Sequence, residues 1–429
     1  MRPAPSVARH ARIAIAIFAL LVASPLAPGA GEIANGAFTP AEIQKIIEGI
    51  QTLRGLKFRN KVALKYLTPA QVVRQIRADA DHQNKAEIEL DNKIGAMVGL
   101  FPAGTDIQSA DIGMLRGQIA GLYDFRKKQM IIVERHGAQG VKLSESKRRE
   151  ATDVIAHELT HALQDQNFGI GAALEKAKED DDRALALGAV AEGDATLSGF
   201  AYIAGRMDDE VLETFLKNIP AMEKEFAKRA GGVPLGIRAP FIFQYMDGAR
   251  FVAAAYRRNG WAGVNALYKH PPESSEQILN PRAYFEHPAP PPRVRVAGYE
   301  TGLKEWKKAN EGTFGEVLLR VIIEANLGEH SPRAALAKAW DGDRVVVLKK
   351  SGAITLLWVI AFVSEASAAN FAQVCEDALE RLHGAKIAHR VERDSRAVLV
   401  IIGDAAKRSN DLVAQIWKKT TLSGAPLPN

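Results

Sequence analysis

The sequence predicts an α+β fold in two parts. A mainly helical domain with a small β-hairpin or sheet comes first, and a smaller α+β domain with an antiparallel sheet follows. Helix-start signals and apolar residues at helical spacing recur between residues 39 and 285. The stiff stretch His287-Pro-Ala-Pro-Pro-Pro292 then interrupts that texture. Beyond it, β-prone runs at Arg344–Leu348, Ile354–Phe362, 387–393 and 396–402 stand among helical segments at 313–327 and about 366–382, with a last helix from near Asp404. That order suggests helices on one face of a four-stranded antiparallel sheet. The expected divisions are a signal segment over 1–30, a helical segment over 31–110, a second unit over 111–300 and the α+β domain over 301–429.

The first thirty residues read as an export signal. Arg2, Arg9 and Arg12 precede the apolar run Ile13–Ala23, which is shorter than the roughly 20 residues that span a bilayer. Small residues follow, with cleavage expected after Ala30 despite Pro28; an uncleaved anchor is the alternative. Without residues 1–30 the formal charge falls from +6 to +3. That is too mild to argue for a nucleic-acid partner, and no basic run suggests a groove binder. Cys375 is the only cysteine, so no internal disulfide can form. A bacterial periplasm or exterior fits that pattern best, with no stable membrane span once the signal is removed.

Thr39-Pro40 and Thr68-Pro69 mark helix starts within a stretch, 39–100, that reads as helical. Gln118–Val133 reads as a hairpin turning at Asp124–Lys128, either a strand offered to an extended peptide or a cover for the core. Ser144 or Ser146 caps a helix running to about Gln166, and Gly169–Gly171 stops it. Glu179-Asp-Asp-Asp182 reads as a solvated helix start, with a calcium loop as the weaker alternative. Ala184–Gly205 is nearly continuous in small and apolar residues, which describes a buried helix. Further helices are expected at about 208–230 and 240–258, and after Ser274, which with Gln277 forms a capping-box pattern.

Val154-Ile-Ala-His-Glu-Leu-Thr-His-Ala-Leu163 carries the chemistry. His157 and His161 stand four apart, so both imidazoles share one helix face and can reach one metal ion. Glu158 lies about 100° further round, where it can serve as general base to a zinc-activated water. A catalytic zinc site needs a third protein ligand. The metzincin pattern does not supply it, since Gln164 and Asn167 stand where glycine and histidine would be needed. Glu192 is the better candidate. Within residues 184–205 the only charged side chains are Glu192 and Asp194, and a buried carboxylate needs a strong partner. The flanking Gly188, Ala189, Gly193 and Ala195 would let this helix approach the histidine helix. Asp194 points about 200° away and is not a ligand from the same face. Asp165 is a candidate to orient His161, or else an ordinary acid at a helix end. Tyr123, Tyr202 and Tyr245 are candidates for stabilising an oxyanion, each with the alternative of a core aromatic.

His157-Glu-x-x-His161 with the later Glu192-Gly-x-Ala resembles the gluzincin group. More narrowly, His157-Glu-Leu-Thr-His-Ala-Leu-Gln-Asp-Gln166 resembles a family of secreted or membrane-attached prokaryotic metallopeptidases. Gly121-Leu-Tyr-Asp124, Ala191-Glu-Gly-Asp-Ala-Thr196 and Pro272-Glu-Ser-Ser-Glu-Gln-Ile-Leu279 add to the likeness, which runs from about 118 to 285. Asn167 and Asn280 depart from it, since members often carry histidine there. The resemblance implies a zincin-like metallopeptidase domain with His157, His161 and Glu192 on zinc. The function expected is an exported zinc-dependent metallopeptidase acting on peptides or proteins, with Glu158 as the catalytic residue. One alternative is a non-catalytic module that zinc stabilises and whose C-terminal domain engages a partner. Another is a hydrolase for a different amide, such as one in cell-wall peptide.

Overall fold

In a computed structural model of the protein, the described residues are 38–426, apart from 82–84, 108, 111–120, 134–143, 178–179, 289, 409 and 424. The expected signal segment and the first residues of the expected hairpin lie outside them.

The fold is α+β, as the sequence implies, and several of its helices begin at a capping side chain. In α1 (Pro40–Arg54), Thr39 accepts from the Glu42 N–H while the Glu42 carboxylate accepts from the Thr39 N–H. That reciprocal pair satisfies two donors the helix end would otherwise leave open. Helices α2 (Pro69–Asp81) and α3 (Lys85–Met97) follow. Between α1 and α2, Ala63–Leu67 forms strand β1 within a stretch expected to hold only helices. Only Leu67 of that strand is buried, so it carries no alternating pattern; pairing with a distant strand, not local propensity, makes it extended.

The hairpin is present as β2 (Gly121–Asp124) and β3 (Gln129–Val133), antiparallel, with β1 added in parallel on the far side of β3. Behind this sheet lies α4 (Glu145–Phe168), capped by Ser144 and ended by Gly169 at φ 67°. Gly169 turns the chain but does not stop it: α5 (Ile170–Ala177) continues directly. The central helix is α6 (Asp181–Ala204), buried along nearly all its length. Its start is not solvated as expected. Asp180 caps it, while Asp181 and Asp182 are buried, because the helix end docks on the turn at Ser275, whose N–H donates to Asp182 at 3.0 Å. Helices α7 (Asp209–Arg229) and α8 (Leu235–Ile242) lead into a π-helical turn, Phe243–Asp247, and then α9 (Gly248–Ala266), which bends at Asn259 and Gly260. Two short helices, α10 (Ser275–Leu279) and α11 (Pro281–Phe285), complete this part.

The C-terminal part opens with β4 (Val294–Arg295), α12 (Tyr299–Gly302) and β5 (Lys307–Gly312). After α13 (Gly315–Leu327) come β6 (Trp340–Lys350), β7 (Ala353–Phe362), α14 (Glu365–His383), β8 (His389–Asp394) and β9 (Ala397–Gly403). A 3-10 turn at Asp404–Lys407 delays the last helix, α15, to Asn410–Lys419, and β10 (Thr421–Leu422) and β11 (Ala425–Pro426) end the described chain. The main sheet is antiparallel in the order β5-β6-β7-β9-β8, five strands where four were expected. The added strand, β5, is polar (Lys-Lys-Ala-Asn-Glu-Gly) and shifts register between Lys308 and Asn310, so no β-pattern marks it. Helices cover both faces instead of one. Val345, Val347, Trp358 and Val400 face α13 and α14, while Val346, Leu348, Val359 and Ile401 face α15 and the β4 region. Strands buried on both faces read as continuous apolar runs, as Thr355–Phe362 does. The first of these cores is continuous with that of the helical part. Among the described residues no helix is long and apolar enough to cross a membrane.

Candidate metal centre

Helix α4 brings His157 and His161 onto one face, with their Nε2 atoms 3.1 Å apart. Helix α6 crosses it and sets Glu192 Oε2 at 3.4 Å from each Nε2. All three residues are buried, and they form the only group of three or more metal-ligating side chains of this kind among the described residues. Four ligands about 2.0–2.1 Å from a tetrahedral zinc would lie about 3.3–3.4 Å from one another. The three separations here match one face of such a tetrahedron. A second observation agrees with the fit. Glu192 Oε2 is buried and meets only the two imidazoles, in no well-aligned hydrogen bond, and both Glu158 oxygens are buried with only the Tyr123 backbone N–H bearing on them. Carboxylate oxygens in that condition call for a cation or a polar ligand.

The electrostatics of the cluster on its own are those of a proton held where a metal ion would fit. Burial opposes charge on Glu192, but the two imidazoles together outweigh it and hold the carboxyl at about 2. Burial likewise opposes charge on His161, yet Glu192 overcomes it and raises the ring to about 9. His157 is lowered to about 4, chiefly by burial. Glu158 is pushed up to about 8 by burial. A divalent cation would displace the proton from His161, the usual exchange at a site of neutral imidazoles and carboxylate.

Beneath the ligands lies a chain of hydrogen bonds. His161 Nδ1 faces Gln164 Oε1 at 2.9 Å, not Asp165 as the sequence suggested. Asp165 is held elsewhere, accepting from Tyr123 at 3.2 Å, from the Gly171 N–H and from Lys128. Gln164 Nε2 in turn donates to Asp194 Oδ2 at 3.1 Å and to the Ala191 carbonyl. Asp194, which is no member of the ligand group, also accepts from Arg54 at 2.9 Å, Tyr268 at 2.7 Å and Ser198 at 3.2 Å. Such outer contacts fix the tautomer and ring orientation of a ligating histidine. Arg54 arrives from the end of α1, buried, and lies over the Trp261 ring.

Gly188 and Gly193 do not serve the approach to α4. A Cβ on Gly193 would meet the Gly248 backbone at 2.3 Å, and one on Gly188 would meet the Gln244 side chain at 2.8 Å. Those glycines admit the π-helical turn and the start of α9; it is Gly199 that faces α4, against Asp153. The turn matters because it carries Tyr245. Its ring stacks on His157 with centroids 6.2 Å apart, and its buried hydroxyl lies beside Glu192. Burial and the nearby charges of Glu192 and Glu158 hold its pKa well above the usual phenol value. Of the other tyrosines considered, Tyr123 serves Asp165, and Tyr202 packs against Gly49 of α1. π-helical insertions often mark functional sites, and this one has no signature in the sequence.

Residues 303–414 match the family described as Domain of unknown function (DUF8575). The matched segment spans the five-stranded sheet with α13, α14 and part of α15, and includes none of the cluster residues. No curated protein and no solved structure matches the chain.

Proposed function

We propose that this chain is an exported zinc-dependent peptidase of the gluzincin type, with His157, His161 and Glu192 as ligands and Glu158 as general base. The observation that carries the reading is the triangle of ligand atoms, 3.1–3.4 Å on a side, next to the buried Glu158 carboxyl. Zinc bound there would lower the pKa of a water and polarise the substrate carbonyl. Glu158 accepts the proton of the attacking water and returns it to the departing amine. Its burial raises its basicity towards that of the water it serves. The Tyr245 hydroxyl, buried beside Glu192, donates to the oxygen on which negative charge develops. The charged and apolar pattern of residues 1–30 supports export.

The test is metal analysis with a peptide-library digest, before and after chelation. Stoichiometric zinc is expected, with cleavage lost on chelation and restored by zinc. A protein without bound metal, or a digest indifferent to chelation, would overturn the reading. Tyr245→Phe is expected to lower kcat by about 10²–10³-fold with KM and zinc content little changed. Loss of zinc instead would make Tyr245 a structural residue.

A second reading draws on one observation. His157, Glu158, His161 and Glu192 are at most 6% exposed, as befits an ion that only pins α4 to α6. In that case zinc would be bound and no peptide cut.

A further inference from the structure

The small sheet beside the cluster bears a concentration of positive charge. From Gly55 to Leu67 the chain holds Lys57, Arg59, Lys61 and Lys65 and no acidic residue. All four side chains are exposed. The parallel pairing of β1 with β3, which opposes Ala63 to Gln129, brings this segment alongside the hairpin turn that holds Arg126, Lys127 and Lys128, also exposed. The acids at hand, Asp124 and Asp165, are buried and already engaged: Asp124 accepts from the Arg126 and Lys127 N–H groups, and Asp165 binds Lys128. Lys57, Arg59, Lys61, Lys65 and Arg126 form no ion pair with any described residue. Some arginines on the helical surface, among them Arg206, Arg229, Arg250, Arg257 and Arg258, each meet a carboxylate, while others such as Arg74, Arg77 and Arg183 meet none among the described residues, so it is the clustering that sets the ledge apart. Like charges gathered without counter-charges repel one another and raise a positive potential over their surroundings.

That ledge adjoins the metal cluster. Phe125, which opens the turn, sets its ring edge against His161 with centroids 5.8 Å apart. Lys128 binds Asp165, one helical turn past His161. On the other flank the Arg59 and Asn60 N–H groups donate to Gln166 at the end of α4. The cations therefore border the last turns of the helix that carries the histidines. A bilayer is the poorer occupant, because a peripheral surface needs apolar side chains to insert. Tyr66 is the one large exposed apolar residue of this segment.

We propose that this ledge, formed by Lys57, Arg59, Lys61, Lys65 and Arg126, binds acidic segments of the polypeptide substrate and brings the bond beside them to the cluster. The inference rests on the peptidase reading for its substrate, but binding can be measured without turnover. The experiment uses the full-length Glu158→Gln protein loaded with zinc and a fluorescent Glu-rich peptide, with neutral and Lys-rich peptides of equal length for comparison. Anisotropy is expected to rank the acidic peptide tightest, with affinity falling as salt rises. In the Lys61→Glu/Lys65→Glu/Arg126→Glu background, affinity for the acidic peptide should fall by roughly tenfold or more. An equal charge change on α7, Lys217→Glu/Lys224→Glu/Lys228→Glu, should leave it within about twofold. Equal affinity for the three peptides, or equal losses in the two triple variants, would overturn the proposal. So would phosphatidylglycerol vesicles that depend on the ledge while the acidic peptide does not. A protein that binds acidic peptides through the ledge, yet whose Glu158-intact form cuts none, would reject the peptidase reading and keep the ledge as a binding surface.

Discussion

Glu158→Gln is expected to lower kcat/KM by about 10²–10⁴-fold while the protein keeps its zinc and its fold. Glutamine has nearly the shape of glutamate but cannot take up a proton. Both Glu158 oxygens are buried, and the one hydrogen-bonding group that bears on them, the Tyr123 N–H, can donate equally to the glutamine oxygen, so the exchange costs no hydrogen bond. It also removes a carboxyl whose ionisation burial opposes, as its rise to about 8 shows. Thermal stability should therefore be unchanged or higher, the opposite of what a structural role predicts. The measurement pairs a kinetic assay on the best peptide from the library digest with zinc content and a melting curve. A variant that cleaves at the wild-type rate would remove Glu158 from the chemistry. A variant that loses zinc would make the residue part of the metal-holding structure, and a wild type equally inert on every peptide would favour the pinning reading.

The cluster was legible because its information is local or nearly so. Two histidines four apart declare a shared face, and Glu192 stands out as an acid in a stretch otherwise made of small and apolar residues. The buried start of α6 was not legible: Asp181 and Asp182 look like solvated acids until the turn at Ser275 packs over them. Strand β1 is hidden for a similar reason, since its pairing with β3 joins segments more than sixty residues apart. The contacts around the ligands divide in the same way. Gln164, three residues beyond His161, could have been found as well as Asp165. Asp165 is a candidate to orient the ring because a carboxylate is a common partner for an imidazole, and it proves to be the ordinary helix-end acid of the two alternatives. Arg54 had no such signal, and Tyr245 stood only as one of three candidate tyrosines with nothing to single it out. One comes from a helix end and the other from a π-helical turn, and neither feature leaves a spacing in the chain.

Arg54 is where the second large effect is expected. Its guanidinium, 1% exposed, reaches Asp194 Oδ2 and Asn265 Oδ1, both at 2.9 Å. Removing one partner of a buried ion pair strands the other charge, so Arg54→Met should destabilise the fold by about 3–5 kcal/mol. The consequence should reach the metal as well, because Asp194 holds Gln164, and Gln164 holds the Nδ1 side of His161. Zinc affinity, read by competition with a chromophoric chelator, is expected to fall by about 10–100-fold. A second variant separates these effects. In Arg54→Met/Asp194→Leu neither charge is left buried alone, so much of the lost stability should return. Gln164 there has lost Asp194 and keeps only the Ala191 carbonyl as acceptor, so zinc affinity should stay low. Stability and metal affinity would then move in different directions across one cycle of variants, which general loosening of the fold cannot produce. Wild-type zinc affinity in both variants would show that the chain of hydrogen bonds from α1 to His161 does not position the ligand.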